Sequence, residues 1–238
     1  MKKSRIIIAV IILVAAASFI LEMVEVPWLS FLNWGILSAI IAVLICLALL
    51  FEFESAVTNS KEIALVAMLG TISAIFRVPF AAIPGVQPCT CIIFCAGYVF
   101  GPVAGFAVGA ITVVVSNFFL GHGPWTLYQI IAWGLIGMAA HLFSRIKLNR
   151  VLLIIIGIVS GFIYGLITNI WFWTAFIYPL TWNTFLITEL NTIVFDSLHA
   201  AGNAVFFGLL GLKTIEMLNR FKNRFNIKYR AQTEQTTI

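Results

Sequence analysis

Charge is scarce in this sequence. Asp, Glu, Lys and Arg make up 10% of the 238 residues, while hydrophobic residues make up 62% and the mean hydropathy is +1.08. A water-soluble domain does not carry that ratio, and apolar runs near 20 residues recur along the chain, so the class is a polytopic helical membrane protein. The strict apolar–polar alternation of membrane β-strands is missing, which disfavours a barrel. Also missing are the Gly-x-Ser-x-Gly elbow, His-Glu-x-x-His, and paired glutamates beside a helical histidine, so an enzyme reading has no support. With no phosphate-binding Gly-x-x-x-x-Gly-Lys, the chain does not hydrolyse ATP itself. Histidine is limited to His122, His141 and His199, which are scattered rather than spaced as ligands. The four cysteines, Cys46, Cys89, Cys91 and Cys95, sit in apolar sequence and read as buried thiols rather than disulfides or a metal site.

What charge there is follows a pattern. Lys2, Lys3 and Arg5 precede an apolar run from Ile6 to Leu21. Ala15-Ala16-Ala17 offers a signal-peptide-like cleavage pattern, but the many spans that follow favour an anchor. A second run, Phe31 to Phe51, returns the chain and ends at Glu52 and Glu54. Residues 1–54 therefore read as a transmembrane hairpin and 55–62 as a cytoplasmic linker. Asn59 and Glu62 form a capping-box-like start for the next helix. Six helices are expected at about 61–80, 87–100, 102–120, 125–144, 150–176 and 185–213, forming a membrane core over 63–215. A basic cytoplasmic tail, 216–238, closes the chain. With the N-terminus inside, thirteen of the fourteen Lys and Arg residues fall on the cytoplasmic side, Arg77 being the exception. Both termini are then cytoplasmic, and the Gly121–Trp125 turn faces outward.

The polar residues inside the spans carry the functional signal. Asn117-Phe-Phe-Leu-Gly-His-Gly-Pro-Trp-Thr-Leu-Tyr-Gln129 interrupts two apolar runs with a Gly/Pro turn and brings Asn117, Trp125 and Gln129 toward the outer end of the bundle. In the last helix Glu189, Thr192, Asp196, His199 and Asn203 recur at spacings of three and four, which places them on one face. Asp196 lies about 16 Å in at 1.5 Å per residue, where a charge costs about 2.5–3.5 kcal/mol unless paired or hydrated. Two readings stand for this face: a polar seam locking helices together, or the wall of a solute pocket. Arg77, Gln87, Asn117, Trp125 and Gln129 are the candidate solute contacts, with Asp196 and Asn203 deeper. Two glycine series, Gly101/Gly105/Gly109 and Gly157/Gly161/Gly165, predict close helix packing. Trp171, Trp173, Trp182 and Tyr178 suit an aromatic belt at the outer interface or a stacking role.

From about Lys61 to Lys213 the sequence resembles the six-helix substrate-binding S component of an energy-coupling factor (ECF) vitamin transporter. The resemblance rests on Lys61-Glu-Ile-Ala-Leu-Val-Ala67 followed by Arg77-Val-Pro-Phe80, on the turn Ile83-Pro-Gly-Val-Gln-Pro88, on Gly97-Tyr-Val-Phe-Gly-Pro-Val-Ala-Gly-Phe-Ala-Val-Gly109, and on the stretch Asn117–Gln129. It implies an all-α fold, an S-component-like bundle preceded by the N-terminal hairpin. It also implies a small organic solute captured at the outer face of the cell membrane, and partnership with a transmembrane coupling subunit and two ATPases that use ATP. No cofactor is expected in this chain. The family's Ala-x-x-x-Ala docking pattern is replaced here by Ala67/Thr71 and Gly70/Ala74. Nickel and cobalt S components begin Met-His, whereas this chain begins Met1-Lys2-Lys3, which argues against a metal ion. Leu120-Gly-His-Gly-Pro-Trp-Thr126 with Gln129 most resembles cobalamin-type S components, with riboflavin, another vitamin or a nucleobase-like compound as alternatives. Two readings of other classes remain open. One is a stand-alone proton-coupled transporter using Asp196 and Glu189, and the other is a structural membrane subunit without a ligand.

Overall fold

The computed structural model describes residues 60–235 together with Ile40, Val43, Leu44 and Leu47, which are helical. The expected N-terminal hairpin, apart from those four residues, as well as Cys46 and the Asn59 cap, lies outside the described residues. Within them the chain is helical and no strand occurs. The order is α1 Ser60–Phe80, α2 Cys89–Phe100, α3 Pro102–Leu120, α4 Trp125–Ala139, α5 Arg150–Phe176 and α6 Trp182–Phe206. A π turn, Phe207–Gly211, then carries α6 directly into α7, Leu212–Gln235.

The boundaries follow from local chemistry. Pro88 holds the start of α2 to Cys89, two residues later than the sequence suggests. Gly101, at φ 103°, turns the chain sharply, and Pro102 opens α3 at its first position, where the missing N–H is no loss. Gly121, at φ 98°, ends α3. Asn149 caps α5 by accepting the Leu152 N–H at 2.8 Å. Thr181 and Thr184 cap each other reciprocally, which starts α6 three residues earlier than position 185. The expected end of the fourth helix tightens into a 3-10 turn, Ala140–Phe143.

The tail departs most from expectation. Among the described residues, no break separates residues 216–235 from the core. The helix runs on because Ile215 and Leu218 are buried in the main core and Lys222 donates to the Val99 carbonyl, at the last turn of α2, at 2.6 Å. A lysine there also complements the negative end of the α2 dipole.

Among the described residues, five helical spans are long and apolar enough to cross a membrane: Ile63–Phe80, Pro102–Leu120, Trp125–Phe143, Arg150–Phe176 and Trp182–Arg224. Helix α2 is apolar but shorter. The distribution of polarity is that of a protein solvated by lipid. Phe118, Phe119, Leu166, Leu190, Val194 and Phe195 are exposed, whereas Arg77, Asn117, Asn169, His199 and Asn203 are buried. This is an all-α membrane protein.

Glycines set the helix spacing. Gly157, Gly161 and Gly165 of α5 face Asn203, Ala200 and Asp196 of α6 so closely that a Cβ on any of them would meet those residues at 2.9, 2.5 and 2.3 Å. The second series behaves differently from expectation. Gly105 and Gly109 pack against the backbone of Gly137 and Trp133 in α4, but Gly101 has nothing within 4 Å and serves the turn. Its place in the packing is taken by Gly97 of α2, whose Cβ would lie 1.8 Å from the Gly137 carbonyl oxygen. Three helices thus meet backbone to backbone at Gly97, Gly105 and Gly137.

Candidate functional site

The site is built around Arg77, in the last turn of α1 and only 4% exposed. Its Nε donates to Gln87 Oε1 at 3.3 Å. Its Nη1 donates to Ser116 Oγ and, at 2.7 Å, to Asn117 Oδ1. Its guanidinium lies 4.8 Å from the Trp133 ring centroid, a cation–π arrangement. Each hydrogen bond that Arg77 makes among the described residues therefore ends on a neutral side chain. Asn117 extends the network by donating from Nδ2 to Thr126 Oγ1 at 3.1 Å and to Gln129 Oε1 at 2.9 Å. Four elements contribute: α1, the loop 81–88, the end of α3 and the start of α4.

Of the sequence-predicted contacts, Arg77, Gln87, Asn117 and Gln129 are brought into this one network. Trp125 stands beside it, half-buried, with its ring 5.5 Å from that of Trp171 in α5. Asp196 is engaged elsewhere. Its Oδ2 accepts from Asn169 Nδ2 at 3.2 Å and from Thr192 Oγ1 at 3.0 Å, and Asn169 also reaches Glu189 Oε2 at 3.3 Å. That cluster lies across the α5–α6 contact and has the geometry of a helix lock. Asn203, on the same face of α6, is fully buried, and neither of its amide atoms has a hydrogen-bond partner. His122 at the turn is exposed and rests against Phe118, with ring centroids 4.9 Å apart.

Sequence reasoning passed over Ser116, Thr126, Trp133 and Tyr164. Trp133 is fully buried and donates from Nε1 to Thr90 Oγ1 at 2.9 Å. Tyr164 packs on it at 4.3 Å, and His199 lies 4.8 Å from Tyr164. Two signals were available: Trp133 sits one helical turn after Gln129, and Tyr164 is the one hydroxyl-bearing aromatic within the Gly157–Gly165 stripe. Neither identifies a partner on another helix.

The loop 81–88 lies against α6. Its Gly85, at φ 74°, brings its carbonyl to within 2.6 Å of His199 Nδ1, and a Cβ there would meet His199 N and Leu198 Cβ at 2.9 Å. Gly85→Ala is expected to lift this loop. The left-handed backbone alone costs a non-glycine residue about 1–2 kcal/mol, and the contact adds to that. Faster hydrogen exchange confined to residues 81–88, with the bundle still protected, is the expected observation.

The small residues expected at the docking face divide by exposure. Ala67 and Thr71 are exposed on α1, whereas Gly70 and Ala74 turn inward, and a Cβ on Gly70 would meet Ile111 at 2.6 Å.

A bundle with a lipid-facing apolar surface, an interior arginine held by neutral groups, and a loop folded onto α6 defines a membrane protein with a buried polar site rather than a simple anchor. The sequence model of the family described as "ECF transporter, substrate-specific component" matches residues 61–218, and the chain belongs to that family. It is similar to a UPF0397 protein of Vibrio atlanticus (strain LGP32), 29% identical over 182 residues that cover 68% of this chain and 94% of the relative. A UPF0397 protein of Aliivibrio fischeri (strain MJ11) is 26% identical over 183 residues, covering 70% and 94%. No solved structure matches. The chain is a multi-pass membrane subunit of the substrate-specific type, a transport component and not a member of an enzyme family.

Proposed function

We propose that this subunit captures a vitamin-like organic solute at the end of the bundle formed by the loop 81–88 and the turn between α3 and α4. The observation that carries this reading is the Arg77 network. A cation within a span costs about 2.5–3.5 kcal/mol on insertion scales, and a purely structural bundle has no need of it. Here it is held by Gln87, Ser116 and Asn117, all neutral, so its charge is available to an acceptor on a bound molecule. The flanking rings of Trp125, Trp133 and Tyr164 suit a ring-bearing solute.

The distribution of lysine and arginine supports an orientation with both termini cytoplasmic and this end outward. Uptake would then be driven by two ATPases acting through a transmembrane coupling subunit, which docks on the exposed Ala67/Thr71 face of α1. Cobalamin is the leading solute, on the resemblance of Leu120–Thr126 with Gln129, and a flavin or nucleobase-like compound is the next.

The test is to purify the full chain in detergent and analyse what accompanies it by absorbance and mass spectrometry. A corrinoid spectrum supports the leading solute, and a yellow flavin moves the assignment to that class. Absence of any ligand, with no binding of added vitamins, favours a structural subunit. The Glu189–Asp196 cluster favours a second reading, proton-coupled transport by this chain alone. Uptake into vesicles that lack any ATPase, driven by a proton gradient, would establish that reading and displace the first.

A further inference from the structure

No buried side-chain atom of the Arg77 network, or of the Asn169–Glu189–Asp196 lock apart from Glu189 Oε1, lacks a hydrogen-bond partner. One turn of α6 differs. His199 and Asn203 are four residues apart and share a helix face. They are 4% and 0% exposed. Asn203 Oδ1, Asn203 Nδ2 and His199 Nε2 are all buried without a hydrogen-bond partner. Native proteins rarely leave such atoms unpaired, and three together on one face call for a partner from outside the chain.

The valence of each atom follows from its surroundings. His199 Nδ1 stands 2.6 Å from the Gly85 carbonyl oxygen. A carbonyl only accepts, so the ring proton is on Nδ1, and in the neutral imidazole Nε2 is then a bare acceptor. Asn203 supplies a second acceptor, Oδ1, and a two-hydrogen donor, Nδ2. Two acceptors beside one donor complement a group that carries N–H next to C=O. A carboxylate would be repelled by both acceptors, and a hydrocarbon would leave all three unpaired.

This face adjoins the candidate site. The His199 ring lies 4.8 Å from that of Tyr164, Tyr164 stacks at 4.3 Å on Trp133, and Trp133 carries Arg77 at 4.8 Å. The loop 81–88 closes over it, with Gly85 on His199 and Val86 at 3.4 Å from where a Cβ of Gly202 would be.

We infer that His199 and Asn203 form an amide-reading wall of the solute site, selecting a molecule that presents a primary carboxamide or a lactam N–H/C=O edge. The inference rests on the proposal that the Arg77 site takes an organic solute, and it adds the chemistry by which that solute is chosen. The same edge is found on the carboxamide side chains of a corrinoid and on the imide of a flavin, so the chemistry is shared and the probes separate the sources.

The experiment titrates the detergent-purified full chain with two matched pairs. Dicyanocobyrinic acid heptaamide, which carries the corrin carboxamides without the nucleotide loop, is compared with dicyanocobyrinic acid heptamethyl ester, in which esters replace those carboxamides. Riboflavin is compared with N3-methylriboflavin, in which the imide N–H is blocked. Whichever parent compound binds, its amide-blocked partner is expected to bind roughly 10- to 100-fold more weakly. In Asn203→Leu the parent falls by a similar factor and the difference within the pair largely disappears. Asn203→Asp, which keeps an acceptor and loses the donor, also weakens the parent.

The thermal midpoint of the ligand-free protein distinguishes recognition from a merely structural role. A leucine, which has the same heavy-atom branching, in place of two unpaired amide atoms leaves that midpoint unchanged or raises it. If Asn203→Leu lowers the midpoint and keeps full affinity, Asn203 is a structural residue and the inference fails. If a parent compound binds and its blocked partner binds equally well, the inference fails while the solute reading stands. If neither parent binds the wild-type protein, the corrinoid and flavin assignments fail and take this inference with them.

Discussion

Arg77→Met is expected to reduce solute affinity of the purified subunit by at least about 100-fold, while the protein still elutes as a monodisperse species. The substitution keeps most of the apolar stem and removes the fork that organises four elements. Gln87 and Asn117 lose a charged donor at 3.3 and 2.7 Å, and Ser116 loses the same donor while keeping its bond to the Thr112 carbonyl. A buried polar group left unpaired costs about 1–3 kcal/mol, and the solute loses the one charged group in its site. Lysine in place of arginine can reach one of the acceptors but cannot serve three through two edges of a planar group, so Arg77→Lys should fall between the two. Equilibrium titration is the measurement, and wild-type affinity in Arg77→Met would place the site elsewhere.

The second large effect is on folding. Gly97→Ala is expected to destabilise the bundle by about 3 kcal/mol or more, at the upper end of overpacking costs, and to depress the yield of monodisperse protein. The reason is that the atoms a Cβ would meet are backbone: the Gly137 carbonyl oxygen at 1.8 Å and its carbon at 2.7 Å. A flexible side chain could rotate away, but a helix must shift bodily, and Gly105 blocks the shift because it presses on the same carbonyl. Gly101→Ala is the matched control. Nothing lies within 4 Å of where its Cβ would be, so the change carries only the backbone cost of a non-glycine residue at φ 103°, ψ 174°, about 1–3 kcal/mol. Thermal melting in detergent, followed by size-exclusion chromatography, should separate the two variants clearly. Equal behaviour would mean that the three-helix junction does not govern assembly.

Much of the architecture was legible in one dimension. Apolar run length, Gly/Pro punctuation and the lysine and arginine pattern are local properties, and they placed α1 through α5 within a few residues. The two larger discrepancies both come from interactions that runs of hydropathy do not encode. Helix α6 starts early because Thr181 and Thr184 cap one another. The last helix continues past residue 215 because Leu218 and Lys222 pack on α2, more than a hundred residues earlier in the chain.

The site divides in the same way. That Arg77, Gln87, Asn117 and Gln129 are out of place in lipid could be read from composition alone, because polar side chains within apolar spans are costly wherever they point. Which of them meet could not be read. Asp196 looked like the floor of a pocket by depth, yet Asn169 and Thr192 bind it into the α5–α6 contact. Gly101 looked like part of a packing stripe by spacing, yet the contact falls to Gly97 on a different helix.

By itself, then, the sequence determined the membrane class, the helical spans and the set of polar residues that needs an explanation, since these depend on burial cost and periodicity along one chain. The pairing of those residues was decided only in the folded bundle. Helix rotation and the entry of the loop 81–88 against α6 select which polar atoms are satisfied internally and which, at His199 and Asn203, are left buried with no protein partner.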